Sequence, residues 1–552
     1  MKKTLLLILL IMGLPGGLQA AKRDAPRIIN IVNFIRLLEP RDARITQTVL
    51  YETVVKQVEL MNRYDFPGTF LLQYDALADP RYQELFKTGD GARFEIGGWW
   101  EITQPHVEAA GIKWRGRYPW DWHANVGFST GYTPEEREKL VDVYMEKFKS
   151  VFGKYPTAIG SWFIDEYSLN YMYEKYGLKV SCNVKDQWGT DGYTVWGGYW
   201  NQAYYPSKKN AYMPAQTREG QIPVPIFRML GSDPIYQCGL NSSPTSWQSV
   251  TTLEPVYPES GGNRHWVEWF LRCLTEDPCL GFQYAQAGQE NSFTWAAMKE
   301  GLEMQFALLD QLRREHRIRI ETLGQSGEWF RSHYAITPPT ALSALTDVRD
   351  EDNRTVWYNS RFYRANLIWT KEAFLFRDIH LFDENLESAY RFEPTTKNQC
   401  FYMTLPVVDG MLWSQTGKQG GLKLVETGPD GRIRDIRLKD IRVTNQREQV
   451  LHVESVSDER RVFTFTFYED RMEIAAKPEK DSTRWFLELY TYNNAHYPFT
   501  KVTKEALYAT EMGMDYRVVC RKGHFEEVSD RPDVRFRIVP EKERLILDFS
   551  RP

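Results

Sequence analysis

Cysteine and histidine are scarce in this sequence. Its 552 residues include six cysteines and nine histidines, and no two cysteines form a Cys-Xaa-Xaa-Cys pair. A zinc knuckle and a dithiol redox motif are therefore excluded, because both need closely spaced ligands. The dispersed cysteines leave two states open, buried free thiols or up to three disulfides. They are Cys182, Cys238, Cys273, Cys279, Cys400 and Cys520.

The sequence also lacks an excess of charge of either sign. Lysine and arginine total 69 against 73 aspartate and glutamate residues, which gives a net charge of −4. The isoelectric point is near 6.2. Because no strong positive field is available to attract a polyanion, nucleic acid is not expected as a partner.

Long apolar runs are absent beyond the first residues. Two lysines precede about ten apolar residues from Leu5 to Leu14, and the small-residue end Leu18-Gln19-Ala20 follows. This pattern is typical of a secretory signal peptide, here over residues 1–20. No later stretch approaches the ~18 apolar residues that a membrane span needs. The sequence thus predicts a periplasmic or secreted protein without a membrane span.

The most common catalytic motifs are missing as well. The chain has no Gly-Xaa-Ser-Xaa-Gly elbow, no phosphate-binding P-loop, no Gly-Xaa-Gly-Xaa-Xaa-Gly and no His-Glu-Xaa-Xaa-His. Their absence removes the most common esterase, nucleotide-binding and metalloprotease interpretations. Aromatic residues, in contrast, are abundant at 14%, with 18 tryptophans and 31 tyrosines. Clefts that bind sugar rings are one place where such flat, amphipathic side chains are used.

Strands and helices alternate between residues 24 and 335. Short β-rich runs are separated by segments with helical spacing of apolar residues, such as Leu50, Val54 and Val58. Thr133-Pro134-Glu135-Glu136 supplies an N-cap, a proline at the first helical position and a capping-box glutamate. The alternation predicts a parallel sheet, most economically a (β/α) barrel of seven or eight strands. The predicted strands are Ile28–Phe34, Thr69–Gln73, Arg93–Gly97, Ala158–Ile164, Lys179–Val184, Ile226–Leu230, Phe282–Ala285 and Ile318–Glu321.

The pattern changes after Pro338-Pro339. Helical periods largely disappear, and alternating segments such as Val462–Tyr468 and Val534–Val539 are separated by Gly, Asp and Asn turns. Many short strands of this kind predict a β-sandwich over residues 340–552. The expected fold class is therefore α/β plus all-β, with a catalytic barrel over residues 24–335 before the sandwich.

Carboxylates and tryptophans cluster where the predicted parallel strands end, which is where such barrels place their active residues. Glycoside hydrolysis needs two carboxyl groups on either side of the bond and flat apolar faces for the sugar rings. Asp165 and Glu166 follow the fourth strand and Glu290 follows the seventh, so these three are the candidate catalytic residues. The candidate sugar-binding residues are Arg36, Trp99, Trp100, Glu101, Trp162, Asp186, Trp188, Asp191 and Asp233.

Each candidate has a structural alternative. A carboxylate at a strand end often caps the next helix or pairs with a basic residue. One of Asp165 and Glu166 suits such a cap, although the pair cannot both be caps. The Trp99-Trp100 doublet also suits a core beneath the strand end, and Glu290 lies close to the start of a long helix.

The segment from residue 65 to residue 186 resembles the polysaccharide deacetylase superfamily. The matching motifs come in the order Gly68-Thr69-Phe70-Leu71-Leu72, Phe94-Glu95-Ile96-Gly97-Gly98, Thr133-Pro134-Glu135-Glu136, Phe152-Gly153-Lys154-Tyr155-Pro156 and Tyr176-Gly177-Leu178. In that family two metal-binding histidines, four residues apart, follow the Glu-Ile-Gly motif, and here Trp99 and Thr103 occupy their places. The family's Thr-Phe-Asp-Asp-Gly run is replaced by Ile31-Val32-Asn33-Phe34-Ile35. The resemblance therefore implies the fold and a carbohydrate context, but not metal-dependent deacetylation.

A second resemblance is to the family-57 glycoside hydrolases, which share such a barrel. That family has a catalytic glutamate after strand four in a Trp-Leu-Pro-Glu context and an aspartate after strand seven. The matching stretch here is Gly160-Ser161-Trp162-Phe163-Ile164-Asp165-Glu166-Tyr167. Spacing from the tryptophan selects Asp165, whereas residue identity selects Glu166. The resemblance implies Glu290 as the strand-seven partner, with Asp233 as the alternative. The whole chain also resembles a group of secreted bacterial proteins with a barrel and a β-rich tail.

These observations predict a secreted carbohydrate-active enzyme acting on an oligo- or polysaccharide. The specific prediction is a glycoside hydrolase that uses two carboxylates without a metal or cofactor. One alternative is a non-catalytic glycan-binding protein on a degenerate deacetylase barrel. Another is a metal-dependent deacetylase with an unusual ligand set, such as His106, His123 and Asp165.

Overall fold

The computed structural model describes residues 25–237, 251–428, 430–447, 449–478, 484–493 and 496–550. The predicted signal peptide and Cys238 lie outside these ranges. The five cysteines inside them are buried, and Cys182, Cys273, Cys400 and Cys520 are free thiols. None of the described helices combines the length and the apolar character that crossing a bilayer requires.

Helices alternate with the strands of the N-terminal part, as predicted. Thr133 caps the helix that the capping box predicts, and Gly153, at φ +75°, ends it. The helices are α1 (Gln47–Arg63), α2 (Tyr74–Ala78), α3 (Pro80–Lys87), α4 (Gln104–Ala109), α5 (Ala124–Gly127), α6 (Pro134–Phe152), α7 (Glu166–Tyr176), α8 (Arg264–Glu276), α9 (Thr294–Arg314) and α10 (Leu323–His333), with 3₁₀ turns at Ser129–Gly131 and Asn291–Phe293.

The described strands lie in five sheets, and several of those after residue 449 alternate buried with less buried residues. In chain order they are β1 (Arg27–Ile35), β2 (Thr69–Leu72), β3 (Glu95–Trp99), β4 (Ala158–Gly160), β5 (Val180–Asn183), β6 (Gln187–Thr190), β7 (Tyr193–Trp196), β8 (Ala203–Tyr204), β9 (Pro206–Ser207), β10 (Asn210–Pro214), β11 (Ile226–Arg228), β12 (Cys279–Leu280), β13 (Gln283–Ala287), β14 (Arg319–Glu321), β15 (Thr340–Ala344), β16 (Arg354–Asn359), β17 (Tyr363–Trp369), β18 (Phe374–Leu381), β19 (Cys400–Met403), β20 (Leu405–Asp409), β21 (Gly421–Thr427), β22 (Ile433–Asp435), β23 (Leu438–Arg447), β24 (Val450–Ser457), β25 (Val462–Phe467), β26 (Arg471–Ala476), β27 (Arg484–Tyr490), β28 (Phe499–Val502), β29 (Ala506–Glu511), β30 (Met514–Lys522), β31 (His524–Glu527), β32 (Val534–Val539) and β33 (Arg544–Asp548).

The first sheet has the order β13-β1-β2-β3-β4-β5-β11-β8, with β14 beside β1. All neighbours from β13 to β11 are parallel, and β14 is parallel to β1. The eight parallel strands predicted from the sequence are therefore all present, with ends shifted by a few residues. The sheet curls, but among the described residues no strand pairing joins β11 to β13, so it is a curled, open sheet.

The interior of this sheet is aromatic. Phe34 stacks on Trp99 with ring centroids 4.3 Å apart, and Trp99 meets Trp162 edge to face at 5.1 Å. Trp100 points the other way and packs against Tyr144 of α6 under the outer helices. Successive residues of a strand face opposite sides of a sheet, so Trp99 and Trp100 are separated by one step of the pleat.

Two large antiparallel sheets make up most of the C-terminal part. One has the order β12-β15-β16-β17-β18-β21-β27-β32-β31 and the other β23-β24-β25-β26-β33-β30-β29-β28. Aromatic side chains of the two sheets contact each other; the ring centroids of Phe374 and Phe465, for example, are 4.8 Å apart. The strand-rich C-terminal part was thus expected from the sequence, whereas the sandwich and the boundary near residue 335 stay predictions.

Within the described ranges, two strand pairs connect the N-terminal and C-terminal parts. β12 pairs with β15, and β7 pairs in parallel with β19 from Cys400 to Met403. β7 belongs to the β6–β7 hairpin, whose turn contains Asp191. The segment after residue 380 therefore supports the hairpin that lies beside the ends of the parallel strands.

Candidate active site

Arg36 is the centre of a buried charge cluster at the carboxyl end of the parallel sheet. It follows β1, its side chain is fully buried, and it donates to both oxygens of Glu101 at 3.0 and 2.8 Å. Its Nη1 also lies 3.0 Å from Oε2 of Glu290. One guanidinium thus holds two carboxyl groups, one that follows β3 and one that follows β13. In the sheet these two strands lie on either side of the β1–β2 pair.

Glu101 is the more rigidly held of these two acids. Besides the two bonds from Arg36, it accepts a hydrogen bond from Gln73 Nε2 at 2.5 Å, and only 2% of the residue is exposed. Gln73 follows β2, so three adjacent strand ends converge on one carboxylate. A bidentate arginine pair of this kind fixes position as well as charge.

Burial shifts the pKa of Glu290 towards neutrality. Burial raises its pKa, to about 7, and the nearby charge of Glu101 adds to this effect, whereas Arg36 opposes it. The Ser292 hydroxyl donates to its Oε1 at 2.7 Å. A carboxyl group with a pKa near neutrality is able both to donate and to accept a proton at physiological pH.

Asp191 lies at the outer edge of the same cluster. Its side chain is 24% exposed and pairs with Arg41 at 3.0 Å. Arg41 also binds Glu39 at 2.7 Å, and Glu39 lies 3.9 Å from Arg36. Burial raises the pKa of Asp191. The carboxylates of the cluster therefore range from the buried Glu101 to Asp191, which is partly exposed to solvent.

Aromatic rings flank these charges. Trp120 lies under Arg36 with 4.2 Å between the guanidinium carbon and the ring centroid, and Arg41 lies 4.9 Å from the same ring. Trp122, which is partly exposed, lies 5.9 Å from Trp120. The site thus combines carboxyl groups, guanidinium donors and flat apolar faces.

The structure brings together Arg36, Glu101, Asp191 and Glu290 among the predicted site residues. Trp99 and Trp162 lie in the sheet interior beneath them, packed on each other, with exposed fractions of 0% and 7%. Trp100 is on the outer side of the sheet. The remaining predicted residues have other partners.

Asp165 has the contacts of a helix cap. It accepts the backbone N–H of Ser168 at the start of α7, pairs with Arg137 at 3.0 Å and accepts the hydroxyl of Ser129. The residue is fully buried. Asp165 thus caps α7 and ties its start to Arg137 and Ser129, which assigns it a structural role.

Glu166 is fully buried, and among the described residues neither of its carboxylate oxygens has a hydrogen-bond partner. Burial, together with the nearby charge of Asp165, raises its pKa to about 8. Burial and then the charge of Glu166 raise the pKa of Tyr402, whereas burial and the charges of Asp191, Glu101 and Glu290 raise the pKa of Tyr193. Phe163 contacts both tyrosine rings, at 5.4 and 5.1 Å. The strand-four acids therefore lie next to a different set of rings from the Arg36 cluster.

The buried Glu166 predicts a pH-dependent stability. Its folded pKa of about 8 lies above the ordinary 4.5, so the stability that comes from the proton is complete below pH 4.5 and is lost as pH rises towards 8. We expect wild type to lose about 2 kcal/mol of unfolding free energy between about pH 5 and about pH 7, relative to Glu166→Gln. Urea unfolding followed by tryptophan fluorescence measures this difference, and parallel pH curves for the two proteins would contradict it.

Asp186 is the centre of a buried hydrogen-bond network that reaches the C-terminal part of the chain. It pairs with Arg228 at 3.0 Å and with Arg364 at 2.6 Å, and it accepts the hydroxyl of Tyr212 at 2.6 Å. Burial would raise its pKa, but Arg364 and Arg228 outweigh burial and lower the pKa to about 2. These contacts assign Asp186 a structural role between the N-terminal and C-terminal parts.

Trp188 and Asp233 also contact residues outside the cluster around Arg36. The Trp188 ring meets that of Trp196 at 5.9 Å and that of His496 at 5.5 Å, and it is partly exposed. Asp233 is fully buried; it accepts the backbone N–H groups of Ile235 and Tyr236, and the indole N–H of Trp266 at 2.8 Å. Asp233 thus fixes a turn rather than facing the cluster around Arg36.

His106, His123 and Asp165, the metal ligands considered from the sequence as an alternative, do not form a metal-binding group in the structure. The described ranges contain no group of three or more His, Cys, Asp or Glu placed to hold an ion. The alternative ligand set is not assembled: His106 Nε2 lies 2.8 Å from the Leu140 carbonyl oxygen, with its pKa lowered by burial to about 4. His123 lies 4.0 Å from Asp121, and Asp165 pairs with Arg137.

Several residues of the cluster were missed from the sequence. Gln73 directly follows β2, and its amide is a weaker signal of chemistry than a carboxylate. Glu39 and Arg41 lie in the turn after β1, where their spacing from Arg36 was an available signal. Trp120 and Trp122 belong to a loop without periodicity, so only their density in the sequence marked them.

No protein-family model matches the sequence, and no curated protein matches it. Among solved structures, a Parabacteroides distasonis protein described provisionally as a glycoside hydrolase/deacetylase is 15% identical, with a TM-score of 0.54 over 69% of this chain and 90% of that chain. A provisional polysaccharide deacetylase from Mycobacterium smegmatis is 12% identical, with a TM-score of 0.36 over 56% of this chain and 92% of that one. The 4-alpha-glucanotransferase from Thermococcus litoralis is 9% identical, with a TM-score of 0.29 over 95% and 99%. The first likeness confirms the predicted deacetylase-like resemblance at the level of the fold.

Proposed function

We propose that this protein is a carbohydrate-active enzyme that hydrolyses glycosidic bonds. The observation that carries the proposal is the pair of carboxyl groups on Arg36, of which Glu101 is fixed by three hydrogen bonds and Glu290 has a pKa of about 7. Glycosidases need a proton donor beside a second carboxylate, and a buried carboxyl group with a pKa near 7 suits the first role.

Glu290 is the proton donor to the leaving oxygen in this proposal. Asp191 is the second acid, because its side chain reaches solvent and the rise in its pKa makes it a stronger base. It acts either as nucleophile, with retention, or as the base that activates water, with inversion. Arg36 and Ser292 hold Glu290 in place.

Two further features support a carbohydrate substrate. Trp122, which is partly exposed, offers an aromatic surface beside the acids, and the fold resembles that of a protein described provisionally as a glycoside hydrolase/deacetylase. The predicted signal peptide would deliver the enzyme to the periplasm or the exterior, where polysaccharides are accessible. A protein that binds glycans without cleaving them is the principal rival.

A glycan panel tests the proposal. Wild type and the double variant Glu290→Gln/Asp191→Asn are incubated with plant, fungal and bacterial polysaccharides, and new reducing ends are quantified. We expect wild type to release reducing ends from at least one glycan and the double variant to release none. Equal release by the two proteins, or binding of a glycan without release, would overturn the hydrolase proposal in favour of another site or of a binding protein.

A further inference from the structure

A row of alternating rings and guanidinium groups runs from the buried cluster to solvent. It begins with Arg36 over Trp120, continues with Arg41 between Trp120 and Trp122, and ends with Tyr118. Tyr118 stacks on Trp122 at 5.9 Å with 10° between the ring planes, and Arg117 lies 4.8 Å from the Trp122 centroid. We call these residues the aromatic row.

Exposure increases steadily along the aromatic row. Trp120 is 1% exposed and Tyr118 is 41% exposed, one of the few large aromatic side chains that the described surface leaves open. Trp122 lies between them and is partly exposed. A buried start and an open end are what a chain-like ligand needs if one end must reach Glu290 while the rest lies in solvent.

The arginines of the row are held by carboxylates. Arg117 binds Asp121 at 2.7 and 2.9 Å, Arg41 binds Glu39 and Asp191, and Arg36 binds Glu101. Each cation is therefore already neutralised, so the row offers positioned N–H donors without net positive charge. Such a surface suits hydroxyl groups better than carboxylate or sulfate groups.

We infer that the aromatic row binds consecutive residues of an uncharged glycan chain whose scissile bond lies at Glu290. Sugar rings present one apolar face and a rim of hydroxyl groups, which match exposed aromatic faces and the guanidinium donors beside them. The substrate class is therefore an extended neutral oligo- or polysaccharide rather than an acidic polymer or a simple monosaccharide glycoside. This inference deepens the proposed function and uses the same site.

Binding measurements on the full chain test the inference separately from catalysis. The Glu290→Gln protein is titrated calorimetrically with cello-, xylo-, manno- and chito-oligosaccharides, from disaccharide to hexasaccharide, and with oligogalacturonides as acidic probes. We expect affinity for at least one neutral series to rise with chain length, and the acidic series to bind more weakly. In the same background, Tyr118→Ala should weaken binding of the longest neutral oligosaccharide about tenfold, which corresponds to about 1.4 kcal/mol.

Tyr155→Ala is the matched control. Tyr155 also has a cation over its ring, Lys149 at 4.7 Å, but it precedes β4 at the opposite end of the sheet. Its removal should leave the length dependence unchanged, and Tyr118→Phe should restore the affinity that Tyr118→Ala loses. Affinity that does not depend on length, tighter binding of the acidic series, or equal losses in Tyr118→Ala and Tyr155→Ala would overturn the inference. Retained binding in a protein that never cleaves glycans would overturn the hydrolase proposal alone.

Discussion

Replacement of Glu290 by glutamine is expected to lower kcat/KM for natural glycosides about 100- to 10,000-fold, the range that general acid catalysis supplies. The amide keeps the size of the side chain and its position beside Arg36 and Ser292, but it cannot donate a proton of suitable acidity. The loss should be much smaller for nitrophenyl glycosides, because a nitrophenolate leaves without protonation. Initial rates on both substrate types, once the natural glycan is identified, measure this difference.

The pH profile gives the same prediction a second readout. The pKa of Glu290 is raised to about 7, chiefly by burial, so the protonated form needed for catalysis is lost as pH rises through 7. We expect wild-type kcat/KM to fall about tenfold per pH unit above that value, and Glu290→Gln to lack this limb. A basic limb that persists in Glu290→Gln would contradict the assignment.

Glu321→Gln is the control for these measurements. Glu321 also ends a parallel strand of the same sheet and pairs with an arginine, Arg319, at 2.9 Å. Its replacement is expected to leave both the rate and the pH profile unchanged. If Glu321→Gln loses as much activity as Glu290→Gln, the effect reflects the sheet rather than the acid. Equal losses of Glu290→Gln on natural and activated glycosides would also rule out proton donation.

The sheet could be predicted from the sequence because its signals are local. Each predicted parallel strand is a short β-rich run, and capping residues such as Thr133 and Gly153 mark the helix between two of them. The meeting of Arg36, Glu101 and Glu290 follows from the same reasoning. Their strands β1, β3 and β13 are close neighbours in the sheet, and carboxyl ends of parallel strands share one edge.

Other parts of the site depend on partners far away in the chain. Asp165 and Glu166 fit a catalytic motif as well as a cap motif, and only the position of Arg137 and Ser129 shows that Asp165 is occupied. Trp99 and Trp100 could not be assigned to the two sides of the sheet without the register of β3. Asp186 was predicted as a site residue because it follows a parallel strand. Its partner Arg364 lies far away in the C-terminal part, so the sequence did not reveal the ion pair.

For Asp186 the sequence predicts a sugar-binding role, whereas the structure shows a buried ion-pair network. Its carboxylate lies between Arg228 and Arg364, and Arg364 in turn binds both oxygens of Asp378 at 2.8 and 2.7 Å. All four side chains are buried. Because Arg364 belongs to β17 and Asp186 follows β5, this network fastens the end of the parallel sheet to the antiparallel one.

Asp186→Asn is expected to destabilise the protein by about 3–5 kcal/mol, because the neutral amide leaves two buried guanidinium groups short of charge. Asp435→Asn is the matched control: Asp435 pairs with Lys423 at 3.5 Å and is 39% exposed, so its loss should cost less than about 1 kcal/mol. Chemical unfolding followed by circular dichroism compares the two variants. The depressed pKa of about 2 adds a pH test, since the stability from Asp186 is present above pH 3.8 and is lost as pH falls towards 2.

The same variant separates structure from catalysis. If the network only joins the two parts of the protein, Asp186→Asn should keep its affinity for oligosaccharides at temperatures where it remains folded. If Asp186 instead contacts sugar, affinity would fall while the unfolding free energy stayed close to that of Asp435→Asn. The first outcome is expected, because every oxygen of Asp186 already accepts a hydrogen bond from Arg228, Arg364, Tyr212 or the backbone of Gly197.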